Sequence, residues 1–355
     1  MKKIIIDGHL DLAYNGVVLG RDVRRPVEEI RAAEKLAPPP GVHTGTCLVS
    51  IPTLLKGRIA VIGGSLFVAP AWKRWQNEAQ VYHNAEEAHE QALTQLDFYR
   101  RLDDEDDRVR LVGNADVLDE ILGSWKTENP VLGIFVVMEG ADPIRHPDEV
   151  GWWVERGLRG IGPTWAAGTL YSGGNAEPGP LTDEGQALLK TMADFNLLLD
   201  ISHMWEEAAH TALNAYPGPI VATHANPRAF VDSPRMLSDD LIQHLIERRG
   251  VMGIVPFNRM LEPGWSESDP RLPLRRVVEA IDYVCQLAGS AEHVAIGSDF
   301  DGGLGRESIP AEMDSVADLN KIGDLLRERG YAERDVDAIM SENWLGIFRE
   351  TLAGF

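Results

Sequence analysis

Short apolar runs alternate along this chain with longer amphipathic stretches, and the two periods predict different elements. Eight runs read as strands: residues 4–6, 46–51, 131–138, 158–162, 197–201, 219–222, 251–255 and 294–297. Between them, apolar positions recur every three or four residues. The clearest such stretch predicts a helix over 76–102, carried by Val81, Ala85, Ala88, Ala92, Leu96 and Tyr99. Further helices are expected over 147–156, 182–194, 206–215, 274–288 and 342–351, and from Ser238 through Leu241, Ile242 and Leu245, with Thr182 and Ser238 placed as caps. Strands separated by helices imply a parallel sheet, and eight such units closing on themselves make a TIM-type (βα)8 barrel with extra C-terminal helices. A doubly wound open sheet is the alternative, but no Gly-x-Gly-x-x-Gly turn follows the first strand. Residues 57–72 are apolar and Gly-rich without a clear period. They read as a loop or subunit-contact insertion after the second strand. Pro38-Pro39-Pro40-Gly41 breaks the chain, but no linker or internal repeat divides it, so one barrel domain over 1–355 is expected.

Composition narrows the partners. At 44% hydrophobic, the 355 residues can bury a large core, and the longest apolar runs are strand-sized rather than membrane-sized. Met1-Lys2-Lys3 leads straight into a strand with no signal-peptide core. The two cysteines, Cys47 and Cys285, cannot form a disulfide framework and read as buried thiols. A cytoplasmic location is the expectation. A net charge of −21 argues against nucleic acid and anionic membranes as partners. The acidic run Asp103–Asp107 lacks the alternating ligands and glycine of a calcium loop and reads as a solvated helix terminus.

Candidate chemistry follows from the barrel. Residues just past the strands' carboxyl ends share one face, and there the sequence places His9 and Asp11, Glu139, His203, His224 and Asp299. His9 and Asp11 lie two apart, so in extended backbone they point the same way. The other histidines fall elsewhere: His83, His89, His210 and His244 on helices, His293 before its strand, His43 and His146 in loops. Six polar residues could simply decorate the barrel mouth. Yet three carboxylates buried together are costly without cations, and a mixed imidazole–carboxylate set suits zinc or a similar divalent metal. The number suffices for two ions with one carboxylate between them.

Asp7-Gly8-His9-Leu10-Asp11, Met138-Glu139-Gly140, Leu199-Asp200-Ile201-Ser202-His203, Thr223-His224 and Gly297-Ser298-Asp299-Phe300-Asp301-Gly302 together resemble the membrane (renal) dipeptidase family of the amidohydrolase superfamily, over nearly the whole chain. The resemblance implies a binuclear zinc hydrolase that cleaves dipeptides, including those with a D-residue at the C-terminal position. It implies His9 and Asp11 on one zinc, His203 and His224 on the other, Glu139 bridging, and Asp299 as proton shuttle for a metal-bridging hydroxide. Arg235, in Ser233-Pro234-Arg235-Met236, matches the family arginine that grips the substrate's terminal carboxylate. Two departures stand out. Pro163-Thr164-Trp165 puts Trp165 where the family commonly has a histidine contacting the substrate carbonyl, and Phe257-Asn258 replaces a frequent tyrosine. Hydrolysis of another small amide or lactam is therefore the alternative within enzymes, and a non-catalytic, metal-retaining metabolite-binding barrel is the alternative outside them. Homo-oligomerisation is left open.

Overall fold

A computed structural model of the protein describes residues 3–39, 45–72 and 79–355. Eight parallel strands form its centre: β1 (Ile5–Leu10), β2 (Ile59–Phe67), β3 (Leu132–Glu139), β4 (Leu158–Gly162), β5 (Leu198–Asp200), β6 (Ile220–Ala222), β7 (Val251–Ile254) and β8 (Val294–Ile296). Each bonds to the next in sequence, and β1 pairs with β8 to close the ring. Every residue of these strands is buried, which is why their sequences read as continuous apolar runs rather than alternations. A short strand, Val109–Leu111, continues the sheet beside the entry half of β3.

The second unit corrects the sequence reading. The run 46–51 is not a strand: Ser50 caps a helix, Ile51–Gly57, by accepting from the Thr53 amide, and Pro52 stands in its first turn. The true β2 is Ile59–Phe67, inside the segment expected to be an insertion. After it the chain makes only a small pairing of Ala69–Pro70 with Val81–Tyr82. Gly63 and Gly64 hid this strand. A Cβ on Gly63 would lie 2.0 Å from the Gly8 carbonyl oxygen of β1, so the ring demands a glycine where strand propensity disfavours one. The long helix begins later than its period suggested, at Ala85, capped by Asn84, and runs to Glu105. Pro40, Gly41, His43 and residues 76–78 lie outside the described residues. The remaining expected helices form near their expected positions, and Thr182 and Ser238 cap as anticipated.

One end of the barrel is sealed. Ile6, Phe135, Leu198, Val221, Val251 and Ala295 form an apolar layer capped by helix Asn343–Leu352. Trp344 donates its indole N–H to the Ile296 carbonyl at 2.7 Å, and its ring fills the space a side chain on Gly8 would need. Phe348 stacks on Phe135 at 4.1 Å between ring centroids. Removing a buried ring of this kind typically costs about 3–5 kcal/mol. With that end plugged, the polar residues converge at the other. Among the described residues no helix is long and apolar enough to cross a membrane.

Candidate metal centre

The six rim residues expected from the sequence come together at the carboxyl ends of β1, β3, β5, β6 and β8. Glu139, the last residue of β3, lies at the centre. Its Oε2 is 3.2 Å from His9 Nε2, and its Oε1 is 3.0 Å from His203 Nε2 and 3.4 Å from His224 Nε2. Asp11 Oδ1 lies 3.9 Å from His9 Nε2. Donor atoms of three overlapping triads lie within 4.8 Å of one another: His9–Asp11–Glu139, Glu139–His203–His224 and His9–His224–Asp299.

The loop after β8 is shaped for this convergence. Asp299 and Asp301 hold left-handed backbone, φ 54° and 64°, which non-glycine residues adopt at a cost. Asp301 is fixed there because its carboxylate accepts the amides of Leu48 and Val49 and faces the buried Arg21 guanidinium. Gly302 must lack a side chain, because a Cβ would fall 2.1 Å from Asp299 Oδ1 and 2.5 Å from Asp11 Oδ2.

A second layer of polar groups surrounds the six. Ser65 donates to Asp11, Asn175 Oδ1 lies 2.9 Å from His203 Nδ1, and Asp200 accepts from the backbone and hydroxyl of Ser202 and from Thr223. Asp7 does the same for Ser298. None of these roles was read from the sequence. Asn175 sits in a Gly-rich loop with no local signal, and Ser65 lies in the misread second strand. The other described histidines do turn away: His89 binds the Pro143 carbonyl, His293 the Gly250 carbonyl, and His210 pairs with His244.

The electrostatics are those of a cation site. Burial disfavours charge on His9, but Glu139, Asp11 and Asp299 outweigh it and raise the ring to about 10. Burial, then the Arg235 charge, lowers His203 to about 4, and His224 is likewise held well below the ordinary histidine range. Burial pushes Asp299 well above the carboxylate range, with Asp11 and Glu139 adding to it, and lifts Asp11 to about 6. The donor set fits a divalent metal on two observations. His9 Nε2 is fully buried with no hydrogen-bond partner, and His203 Nε2 and His224 Nε2 face each other at 3.0 Å beside a carboxylate.

A cavity of about 290 Å³ opens onto this cluster. Arg235 lines it. Its two terminal nitrogens donate to the carbonyls of Ser202 at 2.7 Å and His224 at 2.6 Å, so among the described residues its charge is directly paired with no carboxylate. Tyr14, Phe67 and Trp165 form an aromatic wall, with Trp165 4.9 Å from Phe67 and 6.2 Å from His203 between ring centroids. Phe257 and Met260 line the side nearer Arg235's neighbour Met236.

Known proteins share this architecture. A metallo peptidase from Rhodobacter sphaeroides, whose crystal structure is liganded with a phosphinate mimic of the dipeptide L-Ala-D-Ala, superposes with a TM-score of 0.80 at 23% identity, covering 99% of this chain and 100% of that one. That likeness establishes the closed parallel barrel. Dipeptidase tcpJ of Claviceps purpurea is 24% identical over 313 residues, spanning 85% of this chain and 69% of that protein. An uncharacterized protein from the pqqA 5′ region of Klebsiella pneumoniae is 32% identical over 232 residues, 62% of this chain and 83% of its own length. The family model for membrane dipeptidase (Peptidase family M19) matches residues 1–353. A barrel of this form, with histidines and carboxylates gathered at its open end, is that of a metallo-dipeptidase, and the chain belongs to the membrane dipeptidase family.

Proposed function

We propose that the protein hydrolyses dipeptides with two divalent ions, zinc in the first instance. His9 and Asp11 would hold one, His203 and His224 the other, and Glu139 both. The observation that carries this reading is the position of Glu139, whose two carboxylate oxygens face different histidines. Two ions bound here would polarise the scissile carbonyl and make a water acidic enough to attack it at neutral pH.

The chain's own residues do the rest. Asp299, held above the usual carboxylate range and facing the cavity, takes the proton of the attacking water and returns it to the leaving amine. Arg235 receives the substrate's terminal carboxylate. Its backbone acceptors fix the guanidinium without neutralising it, which leaves a charge for the ligand to satisfy. Trp165 serves as an apolar wall, a role supported by its packing against Phe67. A cavity of this size suits a two-residue substrate, and a D-residue at the C-terminal position is included in the proposal.

The test is elemental analysis of protein expressed in zinc-replete medium, joined to a panel of L,L- and L,D-dipeptides. Close to two ions per chain and turnover of dipeptides are expected. No metal, or hydrolysis confined to amides without a terminal carboxylate, would overturn the proposal.

A further inference from the structure

Thr223 follows β6 and is buried. Its hydroxyl oxygen meets three groups that belong to different strands. It bonds Asp200 Oδ2 closely, and it lies 3.2 Å from His9 Nδ1 and 2.9 Å from His224 Nδ1. Ser202 Oγ, also near, gives its own hydrogen to Asp200 Oδ1 at 2.5 Å.

Counting hydrogens leaves one arrangement. A threonine hydroxyl has one hydrogen and two lone pairs, and an ionised carboxylate only accepts. The close contact to Asp200 must therefore carry the Thr223 hydrogen; otherwise two lone pairs would be pressed together in a buried site. Both lone pairs of Thr223 are then left for the two imidazoles, and each must donate from Nδ1. A neutral ring with its hydrogen on Nδ1 has its lone pair on Nε2, and the Nε2 atoms of His9 and His224 are the ones turned towards Glu139.

We infer that the Thr223 hydroxyl, oriented by Asp200, is a positioning group that sets the tautomer and ring orientation of His9 and His224 together, and so prepares both metal subsites through one atom. The inference rests on the two-ion reading above, in which these histidines serve different ions. Outer hydrogen bonds of this kind fix ligand rings and typically contribute about 10- to 100-fold in metal affinity. An ordinary outer partner acts on one ligand, as Asn175 does on His203. Thr223 is different because the rings of His9 and His224 lie together, centroids 3.8 Å apart and tilted by 34°, so one oxygen reaches both.

The experiment is a cobalt(II) titration of metal-stripped protein, followed by visible absorption and calorimetry, on wild type, Thr223→Val and Thr223→Ser. Valine keeps the shape and deletes the hydroxyl; serine restores the hydroxyl alone. Thr223→Val is expected to lose about 10- to 100-fold in affinity for each of the two ions, and Thr223→Ser to bind as wild type does. Loss at one ion only, no loss, or a serine variant as weak as the valine one would overturn the inference. Should Thr223→Val fail to fold by circular dichroism, Thr223→Ala is titrated under the same criteria. A wild type that takes up only one ion would refute the two-ion reading, and the valine-to-wild-type ratio for that ion would still decide the role of Thr223.

Discussion

The two halves of the centre share a carboxylate but little else. On the side of β1 and β8, His9 lies among Asp11, Glu139 and Asp299, and its ring is raised to about 10. On the side of β5 and β6, His203 and His224 lie beside the Arg235 guanidinium, and both rings are held below the ordinary histidine range. One half is rich in negative charge and attracts protons or metal. The other is pre-set neutral and carries Arg235, the only cationic side chain lining the cavity among the described residues. Burial lowers all three rings, and only at His9 do the surrounding carboxylates reverse it. Under the proposed function, proton handling would belong to the acidic half and recognition of a substrate anion to the half beside Arg235.

The largest effect that would test this division is expected at Asp299. Asp299→Asn should retain its metals and lose roughly two to four orders of magnitude in kcat, read by steady-state kinetics alongside elemental analysis. Near-normal turnover would remove Asp299 from proton transfer. Next comes Arg235→Ala. A charged hydrogen bond is worth about 1.5–3 kcal/mol, so kcat/KM for dipeptides should fall by roughly 10- to 150-fold, mainly through KM, while amides lacking a terminal carboxylate are spared. Equal losses on both substrate types would mean that holding the carbonyls of Ser202 and His224 is its whole role.

A third effect separates the halves by pH. Burial opposes charge on His9, but the carboxylates around it raise its ring to about 10 in the metal-free protein, so a metal entering there must displace a proton. Lowering the pH from 8 to 6 should therefore weaken the His9 subsite by about tenfold per unit. The subsite containing His203, whose ring is neutral above about 4, should change less. Chelator competition at several pH values reads both constants, and identical slopes would erase the distinction. The smallest effect is expected at Trp165. Trp165→Phe keeps the ring and deletes the indole N–H, and kcat should fall less than about tenfold if the ring is only a wall. A loss of a hundredfold or more with metals retained would make the indole an oxyanion donor.

How much of this was legible beforehand varied with the kind of signal. Strand ends followed by histidine or carboxylate, as at Glu139, Ser202-His203 and Thr223-His224, could be read because a buried parallel strand is a short apolar run and its first polar residue marks the rim. The second unit was misread for a physical reason. Cys47-Leu48-Val49 has strand composition, yet Ser50 and Pro52 start a helix there. Residues 59–67 carry two glycines because the backbone of β1 presses against Gly63 and the side chains of Ile134 and Tyr99 against Gly64. Local preference gave way to ring closure. Within the site, the side chains facing Glu139 were visible in the sequence, whereas Asn175 and Ser65 were not. Their partners are 28 and 54 residues away, and no local pattern announces such a pairing.

The plug beneath the barrel has a consequence for the birth of the molecule. Helix Asn343–Leu352 leaves the ribosome after all eight strands have done so. Until then the layer of Ile6, Phe135, Val221 and Val251 has no floor and faces water. β1, though made first, also waits some 290 residues for its second partner, since Asp7 pairs with Ile296. A nascent chain therefore exposes these apolar residues until its last segment emerges, the kind of surface that chaperones hold and that aggregates when they do not. Because the donor atoms come from both ends of the ring, the proposed metal centre would be complete only once the ring has closed.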